Sequence, residues 1–110
     1  MGQIRSYRDL KFGLCSQMQR AAVSIPSNIA ESHGRGVAKG CVYFLNVAIG
    51  SIAELDTQLE AARRLRFVSA EQAKDLQLSV DRVRPLLYGL RREKQRQIAA
   101  RIVSAVIVCL

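Results

Sequence analysis

Residues 41–65 read CVYFLNVAIGSIAELDTQLEAARRL, and within them Leu45, Ala48, Ile52, Leu55, Leu59 and Ala62 recur at spacings of 3, 4, 3, 4 and 3. A helix turns once in about 3.6 residues, so this spacing lines all six along one side of a cylinder. Asn46, Glu54, Gln58 and Arg64 fall elsewhere around it. The stretch predicts an amphipathic helix whose apolar stripe has to be buried against neighbours.

The next stretch repeats the pattern. From residue 70 to about 94, Ala73, Leu76, Val80, Val83, Leu87 and Leu90 follow the same 3, 4, 3, 4, 3 spacing. Ser69 and Gln72 form an S-x-x-Q capping box at its start, with Glu71 suited to the positive end of the helix dipole and Val68 and Ala73 as a weak hydrophobic staple. Only Arg66, Phe67 and Val68 separate the two helices, so they fold back as an antiparallel hairpin. Pro85 removes one backbone donor and crowds the carbonyl of Asp81, which predicts a kink costing about 3 kcal/mol.

Upstream, residues 14–31 predict a third helix with Leu14, Met18, Ala21, Ile25 and Ile29 on one side. Pro26 interrupts it, with Ser24, Ser27 and Asn28 at hand to bond the groups a proline frees. SHGRG at residues 32–36 reads as a loop by its glycines. Downstream, the tail QIAARIVSAVIVCL is strongly apolar but shorter than the roughly 20 residues a bilayer core requires. It reads either as a continuation of the last helix or as an exposed sticky end. Ile102, Val103, Val106, Ile107 and Val108 give it an aggregation-prone, β-branched character. The fold class is therefore all-α: an up-and-down antiparallel bundle of three recognisable helices, with the tail available to supply a fourth. The whole chain, residues 1–110, is expected to be one domain, with a core at 14–92, an N-terminal remnant at 1–13 and the apolar tail at 95–110.

Composition agrees with a packed bundle. Apolar residues make up 49% of the 110, which suffices for a core, and the net charge of +8 favours polyanions as partners, nucleic acid or an anionic membrane surface. Cys15, Cys41 and Cys109 are odd in number and widely separated, which reads as reduced thiols in a cytoplasmic protein. No secretory signal precedes the helices, and the Met1-Gly2 start with Ser6 is too short a pattern to argue for a lipid anchor.

Two stretches, SQMQRAAVSIPSNIAES at residues 16–32 and FLNVAIGSIAELDTQLEAA at 44–62, closely resemble the four helix bundle family also called ribosomal RNA intervening-sequence proteins. FVSAEQ at 67–72 and YGL at 88–90 follow in that family's order, so the resemblance covers residues 14–92. It implies an up-and-down bundle that assembles into a homo-oligomeric ring, with pentamers among relatives. It also implies an accessory role, since distant relatives bind nucleic acid and a reverse transcriptase through a basic ring. No catalytic site is carried over. Four features depart from the family pattern. SYRDL at 6–10 looks like its opening, yet the long first helix is missing. Val37 and Gly40 replace the serine and glutamate that cap the next helix, a loss of about 1 kcal/mol. Pro85 stands where relatives carry a helix former, and the apolar tail has no counterpart. Three helices with two-sided apolar stripes leave a groove, to be filled by the tail or by a helix from another subunit.

Catalytic and metal chemistry find no support. His33 is the single histidine, in a glycine-rich segment without neighbouring ligands. HGRGVAKG at 33–40 lacks the serine or threonine of a phosphate loop, although Arg35 and Lys39 could touch a phosphate backbone. Glu54, Asp56 and Glu60 share one helix, but a di-iron bundle needs Glu-x-x-His, and ion pairs such as Glu60 with Arg64 account for the acids better. No cofactor is expected.

The basic residues carry the functional signal. From Arg82 to Arg101 the chain carries Arg82, Arg84, Arg91, Arg92, Lys94, Arg96 and Arg101 against Glu93 alone, and Arg63, Arg64 and Arg66 cluster at the hairpin end. With Arg35 and Lys39 they form the expected contact surface for RNA or DNA, electrostatic and poor in sequence specificity because few aromatic platforms besides Tyr43 and Tyr88 accompany them. Leu45, Ile52, Leu55, Leu59, Leu76, Val80, Val83 and Leu87 are the expected core and oligomerisation residues. The competing reading is a protein-interaction module whose groove receives a partner helix, or a truncated, marginally stable remnant of the family.

Overall fold

In the computed structural model, which describes residues 6–34 and 38–109, the three stripes become three helices and no strand accompanies them among the described residues. They are α1 (Tyr7–Gly34), α2 (Ala38–Arg64) and α3 (Ala70–Cys109). Five residues of the α2 stripe, Leu45, Ala48, Ile52, Leu59 and Ala62, are buried, and Leu55 is half-buried. The reason is position. α2 packs against both other helices, whereas α1 and α3 pack on α2 and not on each other. Ile25 and Ile29 reach the core from α1, and Val80, Val83 and Leu87 reach it from α3. The molecule measures 67 × 34 × 21 Å, so its thinnest dimension is about two helix diameters.

The chain runs up and down. Ser51 Oγ donates to Ser24 Oγ at 2.8 Å, joining the middles of α1 and α2. Arg91 donates to Asn46 at 3.0 Å, fixing the register of α3. By length and composition α2 could cross a bilayer, and its central place in the bundle explains that apolarity.

The corner between α2 and α3 is built twice over. α2 ends in a Schellman-type cap: the Arg66 N–H donates to Arg63 O at 3.1 Å and the Phe67 N–H to Ala62 O at 2.9 Å. That pattern requires a left-handed residue, and Arg66 supplies it with φ of 60° where glycine is usual. α3 then opens with the capping box expected from the sequence. The Ser69 N–H donates to Gln72 Oε1 at 2.9 Å, and the Gln72 N–H donates to Ser69 Oγ at 3.1 Å. Phe67 is buried in the corner, with the Tyr7 ring edge-on at 4.9 Å and the Tyr7 hydroxyl donating to Arg66 O at 3.1 Å.

Several expectations are corrected. The first helix starts at Tyr7 instead of about Leu14, because Ser6 caps it: Ser6 Oγ accepts the Asp9 N–H at 3.2 Å. SYRDL therefore packs against the corner as the first turn of α1. Ser32, His33 and Gly34 belong to the end of α1, not to a loop. Ser32 is buried and its hydroxyl donates to Ile29 O at 2.6 Å, which satisfies it inside the helix. Arg35 and Gly36 of the expected loop, and Val37 after it, lie outside the described residues. The helix runs on through Pro26, where the Asn28 side-chain amide donates to Ser24 O at 2.8 Å, and α3 likewise runs on through Pro85.

The tail supplies no fourth helix. It is the last part of the 40-residue α3, since no glycine or proline after Gly89 turns the chain. Leu76 and Leu90, placed in the buried stripe by their spacing, are 44% and 37% exposed. Both lie toward the side of α3 that would meet α1, and the two helices do not touch.

The left-handed Arg66 costs about 1 kcal/mol that glycine would not. Arg66→Gly should raise thermal stability by about that amount, and Arg66→Val should lower it, since β-branched residues fit φ > 0 worst. Melting curves followed by circular dichroism would show the two shifts in opposite directions. Equal shifts would mean that this φ carries no strain.

Candidate nucleic-acid interface

α3 sorts its basic residues by helical phase. Ala73, Val80 and Leu87 face α2 and are buried, which turns Arg82, Arg92 and Arg96 to the opposite side within an arc of about 80°. All three are exposed, and Arg82 and Arg92 make no ion pair among the described residues. Arg96 lies 3.5 Å from Glu93, with its own side chain 77% exposed, so water screens that pair.

Arg84 and Arg91 are engaged instead in holding the helices together. The Arg84 guanidinium stands 2.8 Å from both carboxylate oxygens of Asp56 on α2, and 3.2 Å from Asp81 one turn earlier. Gln77 adds a second donor to Asp56 at 3.1 Å. Burial would push the Asp56 carboxyl up, but the Arg84 and Gln77 hydrogen bonds with the Arg84 charge hold it below the ordinary carboxylate value. Arg91 bonds Asn46 and lays its guanidinium over one face of the Tyr88 ring at 4.9 Å, while Tyr88 stays 40% exposed. Tyr43, the other aromatic considered, is 63% exposed on α2 with Phe44 edge-on at 5.0 Å.

The remaining cations divide between the two ends. Lys94 is half-buried on the α2 side of α3, and the antiparallel register brings it near the first turn of α2, where Lys39 is exposed. At the corner, Glu60 gathers both Arg63, at 2.7 Å, and Arg64, at 2.8 Å. Hydrogen bonds from Arg63 and then Arg64 pull its carboxyl down to about 2. Asp56 and Glu60 are thus ion-pair partners, as the sequence suggested. Among the described residues no three of His, Cys, Asp and Glu gather at one point. His33 is exposed in the last turn of α1.

Two of the depressions that flank α2 also border α1. One lies between α1 and α3, encloses about 300 Å³ and is lined by Cys15, Met18, Leu55, Leu59, Leu76 and Val80 among others, none of them charged. It is the groove expected from the two-sided stripes. The other, on the opposite side of the α1–α2 seam, is polar and includes Arg20, Glu54 and Gln58, whose Oε1 is buried without a hydrogen-bond partner. Neither Cys15 nor Val68 was legible as a groove residue, because the periodicity of one helix does not report which neighbour is absent.

The model of a protein family described as 23S rRNA-intervening sequence protein matches residues 5–89. No curated protein is significantly similar to the chain. The match begins with the first turn of α1 and stops short of Arg91, Arg92 and the apolar end of α3.

Asp56 ties α2 to α3 and Glu60 holds Arg63 and Arg64 in the last turn of α2, and both carboxyls sit below their ordinary values. A depressed folded-state value stabilises above the unfolded-state value and is lost as pH falls through it. Stability should therefore be flat above about pH 5 and decline as pH falls from about 4 toward 2. Arg84→Met should cost about 1 kcal/mol at neutral pH, since the pair is only one-third exposed, and should flatten the acid limb. Urea midpoints measured across that pH range would reveal both, and an unchanged acid limb would discount the Asp56 tie.

Proposed function

The chain belongs to the 23S rRNA-intervening sequence protein family, and we propose that it acts without catalysis, as an oligomeric accessory protein that holds nucleic acid on the outward face of α3. The observation carrying this reading is the exposed arc of Arg82, Arg92 and Arg96, set opposite the buried stripe on a chain of net charge +8. Guanidinium forks bind phosphate oxygens bidentately. Lys39 and Lys94 extend the positive field toward the start of α2. Arg84 and Arg91 serve the fold, and so they are left out of the phosphate-facing set. Assembly of several copies would repeat the arc and multiply its field.

Such binding is electrostatic. Exposed aromatic rings on α2 and α3 are few, Tyr43 and one face of Tyr88 among them, and phosphate contacts carry no sequence information. Three unpaired cysteines favour a reducing compartment such as the cytoplasm. The apolar groove between α1 and α3 favours protein contact in addition, and subunit association is the contact assigned to it.

Fluorescence anisotropy with a labelled RNA duplex and its single strand, titrated over a range of salt, tests the reading. Affinity should fall steeply with salt. The double variant Arg92→Glu, Arg96→Glu should bind at least about tenfold more weakly at low salt, with a log–log salt slope shallower by about 2. Circular dichroism should show the variant folded, because neither side chain packs in the core. Affinity that ignores both salt and charge reversal would remove nucleic acid from the function.

A further inference from the structure

Every residue from 101 to 109 of α3 is exposed, and Ile102, Val103, Val106 and Ile107 are each more than half exposed. No charged residue occurs from 102 to 109. A helix apolar on all sides is stable in water only when something covers it. The register set by Arg91 and Asn46 carries this segment past the start of α2, so neither α1 nor α2 covers it.

The same molecule holds an uncharged groove at its other end. Val80, on the α3 wall of that groove, and Val106 are separated by 26 residues of unbroken helix, about 39 Å. The segment cannot fold back over that distance, and it contains no glycine or proline to turn on. The fit in trans is close. The α1 wall runs from Cys15 to Ala22, a rise of about 10 Å, and residues 102–109 rise by the same amount. Copies carrying +8 repel each other except where apolar surface meets apolar surface, and these are two such surfaces without charge.

We propose that the groove between α1 and α3 is a socket for a second copy of this chain, filled by the apolar end of that copy's α3. The contact is heterologous, donor end into socket, so each subunit uses both halves, and the assembly closes into a ring if the rotation permits. It gives a structural basis to the oligomer in the proposed function and rests on that part of it. It uses a segment beyond the family match, which ends at residue 89.

Two native thiols report on it. Cys15 lines the socket and Cys109 lies in the donor segment. A short bismaleimide added to the wild-type chain should yield covalent dimers in which peptide mapping finds Cys15 joined to Cys109. The double variant Ile102→Lys, Val106→Lys should lose those dimers by more than about tenfold, as two buried apolar side chains give way to charge. Its circular dichroism should stay helical, because the substituted residues pack on nothing within one chain, while its melting temperature should fall toward that of the unassembled subunit. Dimers linked only through Cys109 to Cys109, no intermolecular link, or a link that survives the lysine variant would each overturn the socket. Light scattering separates the two ideas: a fixed oligomer without the Cys15–Cys109 link sinks the socket and leaves the oligomeric accessory protein standing.

Discussion

Burial of the apolar stripe on α2 is the interaction from which the other contacts take their place. Leu45 is 1% exposed, and facing it in the core Leu87 is fully buried. Each outer helix finds its only packed neighbour in α2, so its tilt and register are set there. The polar ties follow. Ser24 meets Ser51 and Arg84 meets Asp56 because the stripe has already fixed which residues stand at the same height. With a single central helix, every outward stripe on α1 and α3 is left half-covered.

This hub explains how the charges divide. On α3, a guanidinium within reach of α2 is drawn into the fold. Arg84 finds a carboxylate there, and Arg91 finds an amide and an aromatic ring. Those a half-turn away face solvent, and Arg96 keeps no more than a water-screened contact with Glu93. A run of arginines that looks uniform in the sequence thus separates into fasteners and a free surface, and helical phase alone makes the division. Glu60 does the same at the corner, where it neutralises much of the field that Arg63 and Arg64 would otherwise project.

Much of the fold was legible because helical periodicity is a strong signal. Five of the six α2 stripe residues are buried, the capping box at Ser69 and Gln72 forms as read, and the hairpin turns where the spacing required. Helix ends were less legible. Ser6 caps α1 by a single hydroxyl contact, and Ser32 sustains it by bonding its own backbone, signals too local to outweigh nearby glycines. Arg66 adopts a glycine conformation without being glycine. The exposure of Leu76 and Leu90 follows from the gap between α1 and α3, a fact about pairs of helices that no single stripe contains. Of the candidate interface, the residues were legible, but their division into paired and free was not. Asp56 lies 28 positions from Arg84 in the chain.

That only consecutive helices touch also bears on how the molecule forms. Contacts between neighbours along the chain keep loop closure short, the circumstance in which small domains fold fastest. As the polypeptide leaves the ribosome, α1 emerges with no surface to rest on until α2 follows, and α3 then docks onto a platform already half built. The fully buried residues of the main cluster come from α2 and α3, so α1, which adds the partly buried Ile25 and Ile29, closes over a hairpin that already holds most of that cluster.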